Sequence, residues 1–201
     1  MKGVFMDRKI LRRSIVLIVL LLLIIYLFNK SGYSLTENNA IRNSYPSKDG
    51  EVIYVKDYGN KKTIIWKTNN GNYAKLVEPK WDIFYHVSHV AELYPMTPVV
   101  GQEGDIKRTW SASLNSNKMF ETIFAVASDN PEIKRVIVSN DNIDNVILDN
   151  IEEIKENSTV FIELKLEDGF AAAYSELKTK DAGGFIFRGI DEKGKIIILG
   201  R

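Results

Sequence analysis

The feature that most constrains this chain is an unbroken apolar run from Ile15 to Phe28, IVLIVLLLLIIYLF. At 1.5 Å per helical residue the run covers about 21 Å. A hydrocarbon core near 30 Å is reached only if Ser14, Asn29 and snorkelling Arg13 and Lys30 extend it. Arg8, Lys9, Arg12 and Arg13 precede the run, and only Lys30 follows it closely. The positive-inside rule then predicts a cytoplasmic tail over 1–13, a single-pass signal-anchor helix over 14–30, and residues 31–201 outside the cell membrane. The competing reading is a cleaved signal peptide, since 14 residues also suits an h-region and Gly32 and Ser34 form a small-x-small pattern. Against cleavage stand Lys30 and the bulky Tyr33. Both readings put the folded part outside the cytoplasm.

Charge narrows the partners. Residues 1–30 carry six basic side chains against Asp7 alone, while the whole chain is +1, so the remainder is net acidic. Such a remainder offers no basic face, and nucleic acid is excluded as an expected partner. There is no cysteine. The fold therefore has no disulfide, and there is no lipobox residue for a lipoprotein anchor.

The rest reads as mainly β (α+β). Thr36 is a plausible N-cap for a short helix over 36–45, ended by Pro46. An antiparallel β-meander follows: 51–58, 62–68, 72–78, then a long strand over 80–93. Gly59-Asn60 and Asn69-Asn70-Gly71 supply the turns, and Pro79 is expected to break the third strand. The helix and meander make a unit over 35–93. The stretch 94–104, YPMTPVVGQEG, reads as a linker. Beyond it, 105–201 reads as a β-sandwich-like domain, with strands over 105–114, 118–128, 132–139, 142–149, 159–166, 184–191 and 195–200. FAAAYSEL (170–177) fits either a strand or a short helix.

The strings NPEIKRVIV (130–138), STVFIELKL (158–166) and FRGIDEKGKIII (187–198) resemble the C-terminal half of a family of small membrane-attached extracytoplasmic proteins of bacilli. The resemblance implies an extracytoplasmic location and no established activity, and transfers no site residues. Many such relatives are lipoproteins, a pattern from which this chain departs.

Chemistry-bearing residues are sparse. His86 and His89 could share a metal on a helix, but a regular strand points them to opposite faces. Ser175-Glu176-Leu177-Lys178 and Ser128-Asp129-Asn130 match the S-x-x-K and S-D-N strings of serine enzymes acting on wall peptides, in reversed order and without a K-T-G string. The stretch 139–150, SNDNIDNVILDN, lacks the glycine and spacing of a calcium loop. Trp66, Trp81 and Trp110, with Tyr54, Tyr58 and Tyr85, could stack glycans, although aromatics in strands mostly serve as core. The expectation is therefore no catalytic, cofactor-binding or metal residue and no cofactor. The expected function is a membrane-anchored, non-enzymatic binding or interaction module of the cell envelope. Its partner would be another envelope protein or a cell-wall polymer. The alternative is an envelope hydrolase without a recognisable motif.

Overall fold

The computed structural model describes residues 8–46, 49–101, 105–141 and 148–201. The chain opens with helix α1 (Arg8–Lys30), followed by strand β1 (Tyr33–Ser34) and helix α2 (Glu37–Asn43). Strands β2 (Gly50–Tyr58), β3 (Lys61–Thr68), β4 (Gly71–Lys80) and β5 (Phe84–Glu92) come next. Then come β6 (Tyr94–Pro95), β7 (Pro98–Val100), β8 (Lys107–Leu114), β9 (Phe120–Ala127) and β10 (Arg135–Ser139). Helix α3 (Ile151–Glu156), β11 (Phe161–Lys165), β12 (Phe170–Leu177), β13 (Ile186–Ile190) and β14 (Ile196–Gly200) complete the fold.

Within α1, the stretch Lys9–Phe28 is long and apolar enough to cross a membrane, and none of it is buried inside the protein. Leu, Ile and Val side chains along it stay about half exposed, which is not how a core helix behaves.

Among the described residues the strands form three antiparallel sheets. Sheet A has the order β1-β5-β4-β3-β2, sheet B β12-β9-β8-β6, and sheet C β11-β10-β13-β14-β7. Sheet B is the middle layer. Along β9, Ile123, Ala125 and Ala127 face sheet A, joining Tyr54, Ile65, Ala74 and Leu76 in one core. Phe124 and Val126 face the other way and meet Val136, Val138, Phe187 and Ile198 of sheet C. Strand β12 divides in the same manner, with Ala172 toward sheet A and Ala171 and Ala173 toward sheet C. Burial on both faces explains the continuous apolar runs TIFAVA and FAAA, and it settles 170–177 as a strand. Sheets B and C together make the expected sandwich.

The outer face of sheet A is closed by α2. Thr36 caps that helix, its Oγ1 accepting from Asn39 N at 3.3 Å, and Ile41 packs on Ile64, Trp66, Tyr73 and Val77.

Four details differ from the sequence reading. Pro79 lies inside β4 rather than breaking it. The β3 ladder ends at Lys62↔Val77, so the missing Pro79 N–H costs no bond on that side, while Pro79 still aligns with Tyr85. The long strand expected over 80–93 is interrupted, because Trp81–Ile83 form a turn in which Trp81 (φ 53°) and Asp82 (φ 57°) are left-handed. In the connection 94–104, Tyr94–Pro95 pairs with β8 and Pro98–Val100 with β14, giving each sheet a short edge strand. The strand expected over 142–149 falls largely outside the described residues. A helix not anticipated from sequence, α3, follows it, capped by Asn150 Oδ1 accepting from Glu152 N and Glu153 N.

Candidate functional site

Two polar regions mark the two ends of the seam between sheets A and B. The first sits at the start of β3. Lys61 Nζ donates to Glu121 Oε1 at 2.5 Å and to Tyr174 OH at 3.0 Å, and lies 3.5 Å from Glu78 Oε2. Burial alone would lower the Lys61 ammonium, but the bonds to Glu121 and Tyr174 outweigh it and hold it above its ordinary range. Burial likewise opposes ionisation of Glu121, yet Lys61 keeps that carboxyl below its usual range. The group is thus a closed ion network. Lys80 Nζ completes it, 3.0 Å from Glu78 Oε1.

His89 joins this region through a register change. Leu76 pairs with His89 but Val77 pairs with Val87, so Ser88 is an extra residue in β5. Cross-strand partners share a face. His89 therefore takes the face of Leu76, and His86, opposite Glu78, takes the same one. The two histidines do not face apart as expected, because one bulged residue inverts the alternation between them. Ser113 Oγ lies 2.9 Å from His89 Nε2, and Ser88 Oγ lies 3.2 Å from Nδ1. Burial lowers the His89 imidazole below its ordinary value against the opposing pull of Glu121. Burial lowers His86 as well. A neutral imidazole beside a serine hydroxyl is the start of a nucleophile–base pair. The orienting carboxylate is not at Nδ1, where a hydroxyl stands instead.

The other expected constellations are dispersed. Ser128 Oγ donates to Asp105 O and accepts from Asn130 N, as in an ordinary turn. Ser128 follows the Phe170↔Ala127 end of its ladder, whereas Ser175 pairs with Thr122 further along. The S-D-N and S-x-x-K strings are therefore not brought together. Trp66 is buried beneath α2, Trp110 packs edge-on to Phe185, and Trp81 stands on a hairpin tip, so the tryptophans make no common platform. Asp141 is tied up by Arg188. The remaining calcium-loop positions up to Ile147 lie outside the described residues. Among the described residues, no group of three or more His, Asp or Glu side chains could hold a metal.

The second region is a cleft of about 540 Å³ at the far end of the same seam. Lys67, Asn70, Glu92, Tyr94, Lys107 and Asp129 line it, drawn from the β3–β4 turn, the β5–β6 corner, β8 and the loop after β9. The turn is held by Thr68 Oγ1, which donates to Gly71 O and accepts from Asn70 N. Gly71 has φ 156°, and a Cβ there would come within 3.2 Å of Glu92 Oε1. The glycine thus leaves room for the carboxylate at the cleft wall. Tyr94 OH donates to Glu92 Oε2 at 2.9 Å, which keeps the phenol protonated above its usual range. Two lysines, two carboxylates, side-chain amides and an exposed aromatic suit a polar ligand that is neutral or zwitterionic. The sequence hid this cleft because its walls come from four separated segments.

Comparison with known proteins finds no matching family model, no matching curated protein and no matching solved structure. The functional reading therefore rests on the geometry.

Proposed function

We propose that this chain is a single-pass, membrane-anchored binding module of the cell envelope, non-enzymatic, with its β-domain outside the cytoplasm. The observation that carries the reading is the position of the cleft. It opens at the β3–β4 turn, while α1 joins the domain at the opposite end of β4, beside the β4–β5 hairpin. The ten residues of β4 separate the two by about 30 Å at 3.3 Å per residue. A domain standing on α1 would then hold its cleft away from the bilayer, toward wall polymers or another envelope protein.

Retention of α1 is supported by the residues that cleavage would remove. Tyr33 and Ser34 pair with His86 and Tyr85 as an edge strand of sheet A, and Ser34 is buried. A cut after Ser34 would strip a strand from the fold.

A second reading, an envelope hydrolase, is favoured by one observation, the Ser113 Oγ to His89 Nε2 contact. The two readings separate in one assay. Full-length protein in nanodiscs is expected to co-sediment with isolated cell-wall sacculi. Tyr94→Ala should weaken that binding about tenfold, the size of an interface aromatic. Ser113→Ala should leave it unchanged, with no soluble product released by either protein. Release of fragments that depends on Ser113 would establish the hydrolase. Absence of binding, or binding indifferent to Tyr94, would remove the wall polymer as the cleft's ligand.

A further inference from the structure

The tip of the β4–β5 hairpin is built against ordinary backbone preference. Trp81 and Asp82 both adopt left-handed φ, with Ile83 N donating to Lys80 O across the turn. Left-handed backbone is sterically unfavourable for a bulky L-residue, and turns of this kind select Asn, Asp or Gly. Here the position carries tryptophan. Its ring is not sunk into the domain: Trp81 is 67% exposed and Ile83 is 61% exposed.

The neighbours of this tip belong to the end of α1. Phe28, the last residue of the apolar stretch, stacks on Phe84 at 4.6 Å and lies edge-on to Trp81 at 6.5 Å. Tyr33 stacks on Trp81 at 5.4 Å. The uncharged stretch from Ser14 to Asn29 gives about 24 Å of helix, and snorkelling Arg13 and Lys30 extend it toward a hydrocarbon core near 30 Å. If that stretch spans the bilayer, Phe28 stands at its outer boundary, and the hairpin tip stands there too. Tryptophan and tyrosine favour this level because their rings are apolar and their polar atoms can reach water.

We propose that Trp81 and Ile83 form a membrane-docking tip that inserts into the outer headgroup–acyl boundary beside α1 and fixes the domain's orientation on the bilayer. The inference rests on the anchored reading proposed above. The occupant is the lipid interface itself, through continuity with the end of the spanning helix. Lys80 and Asp82 flank the tip with opposite charges, and Lys80 is also engaged by Glu78. Insertion is therefore driven by the apolar side chains and does not need anionic lipid.

The test uses the full chain in phosphatidylcholine nanodiscs doped with lipid that carries a nitroxide high on the acyl chain. Tryptophan emission should be quenched through Trp81, read in a Trp110→Phe background because Trp110 is 36% exposed whereas Trp66 is buried in the domain. Trp81→Asn relieves the left-handed strain, so its resistance to urea should be kept or improved while the quenching is lost. Unquenched emission in the Trp110→Phe background from a chain that stays in the disc overturns the docking tip and leaves the anchor standing. Quenching that persists in Trp81→Asn overturns it equally. A chain that does not enter the disc at all defeats the anchor, and the docking tip with it.

Discussion

Replacing Arg188 with methionine is expected to cost about 3–5 kcal/mol of unfolding free energy, the range for removing one partner of a buried ion pair. Arg188 and Asp141 are both fully buried. The guanidinium donates to Asp141 through two nitrogens, at 2.9 and 2.6 Å, to Ser139 Oγ at 2.6 Å and to Leu148 O at 3.3 Å. Ser139 Oγ in turn donates to Asp141 Oδ1 at 2.6 Å. Arg188→Met would leave the buried carboxylate with Ser139 Oγ as its remaining side-chain donor among the described residues. The loss comes from the orphaned charge, since a well-formed buried pair contributes little net stability over apolar replacements. Arg188→Met combined with Asp141→Leu should therefore recover most of the loss. Urea denaturation of the full chain in detergent micelles, followed by tryptophan emission, measures both. A cost under about 1 kcal/mol for the single substitution would mean that the site is hydrated.

A second large effect should appear as a pH dependence set by Lys75. This lysine lies fully buried in β4, its Nζ donating to Ile41 O at 2.9 Å, Ser44 Oγ at 2.9 Å and Ser44 O at 3.4 Å, and sitting 4.9 Å from the Trp66 ring centre. It satisfies carbonyls at the end of α2 that the helix cannot satisfy itself. Its bonding partners are neutral, and burial pushes the ammonium down to about 8 from an ordinary 10.5. Between these values the unfolded chain holds the proton that the folded chain releases. The contribution of Lys75 to stability is therefore highest above pH 10.5 and is lost as pH falls toward 8. The span is worth about 3 kcal/mol, at 1.4 kcal/mol per pH unit. Other lysines and the tyrosines titrate nearby, so the quantity to follow is wild type minus Lys75→Met. That difference should move in favour of the wild type by about 3 kcal/mol from pH 8 to 10.5. A flat difference would show that the carbonyls and the Trp66 ring offset the desolvation.

Local signals carried much of this architecture. Thr36 as a cap and a hairpin turn between β3 and β4 are written in adjacent residues, although the two turn residues are Asn69-Asn70 and Gly71 opens β4 opposite Thr68. What escaped depends on partners distant in the chain. The Ser88 bulge exists only relative to the register of β4, so no inspection of F-Y-H-V-S-H-V could put both histidines on one face. Lys75 alternates with apolar neighbours in a manner that suggests solvent, but α2 covers that face. Arg188 and Asp141 lie 47 residues apart. Trp81 looked like a strand residue because tryptophan at positive φ runs against propensity. The apolar run TIFAVA held a clue to the middle sheet, since burial on both faces erases alternation.

The claim on which the rest depends is that the chain stays whole in the membrane with its β-domain outside. The absence of cysteine makes this directly measurable, because a single introduced thiol has no background. Leu114→Cys places that thiol at the exposed end of β8, and Lys2→Cys places it on the basic tail. Intact cells would be treated with a membrane-impermeant maleimide, and the labelled chain sized and assigned to membrane or medium. The account predicts that Leu114→Cys is labelled in intact cells, at full length and in the membrane fraction, while Lys2→Cys is labelled only after permeabilisation. Label on Leu114→Cys in a chain that begins near Leu35 and is released to the medium, or labelling of that position only after permeabilisation, would contradict it.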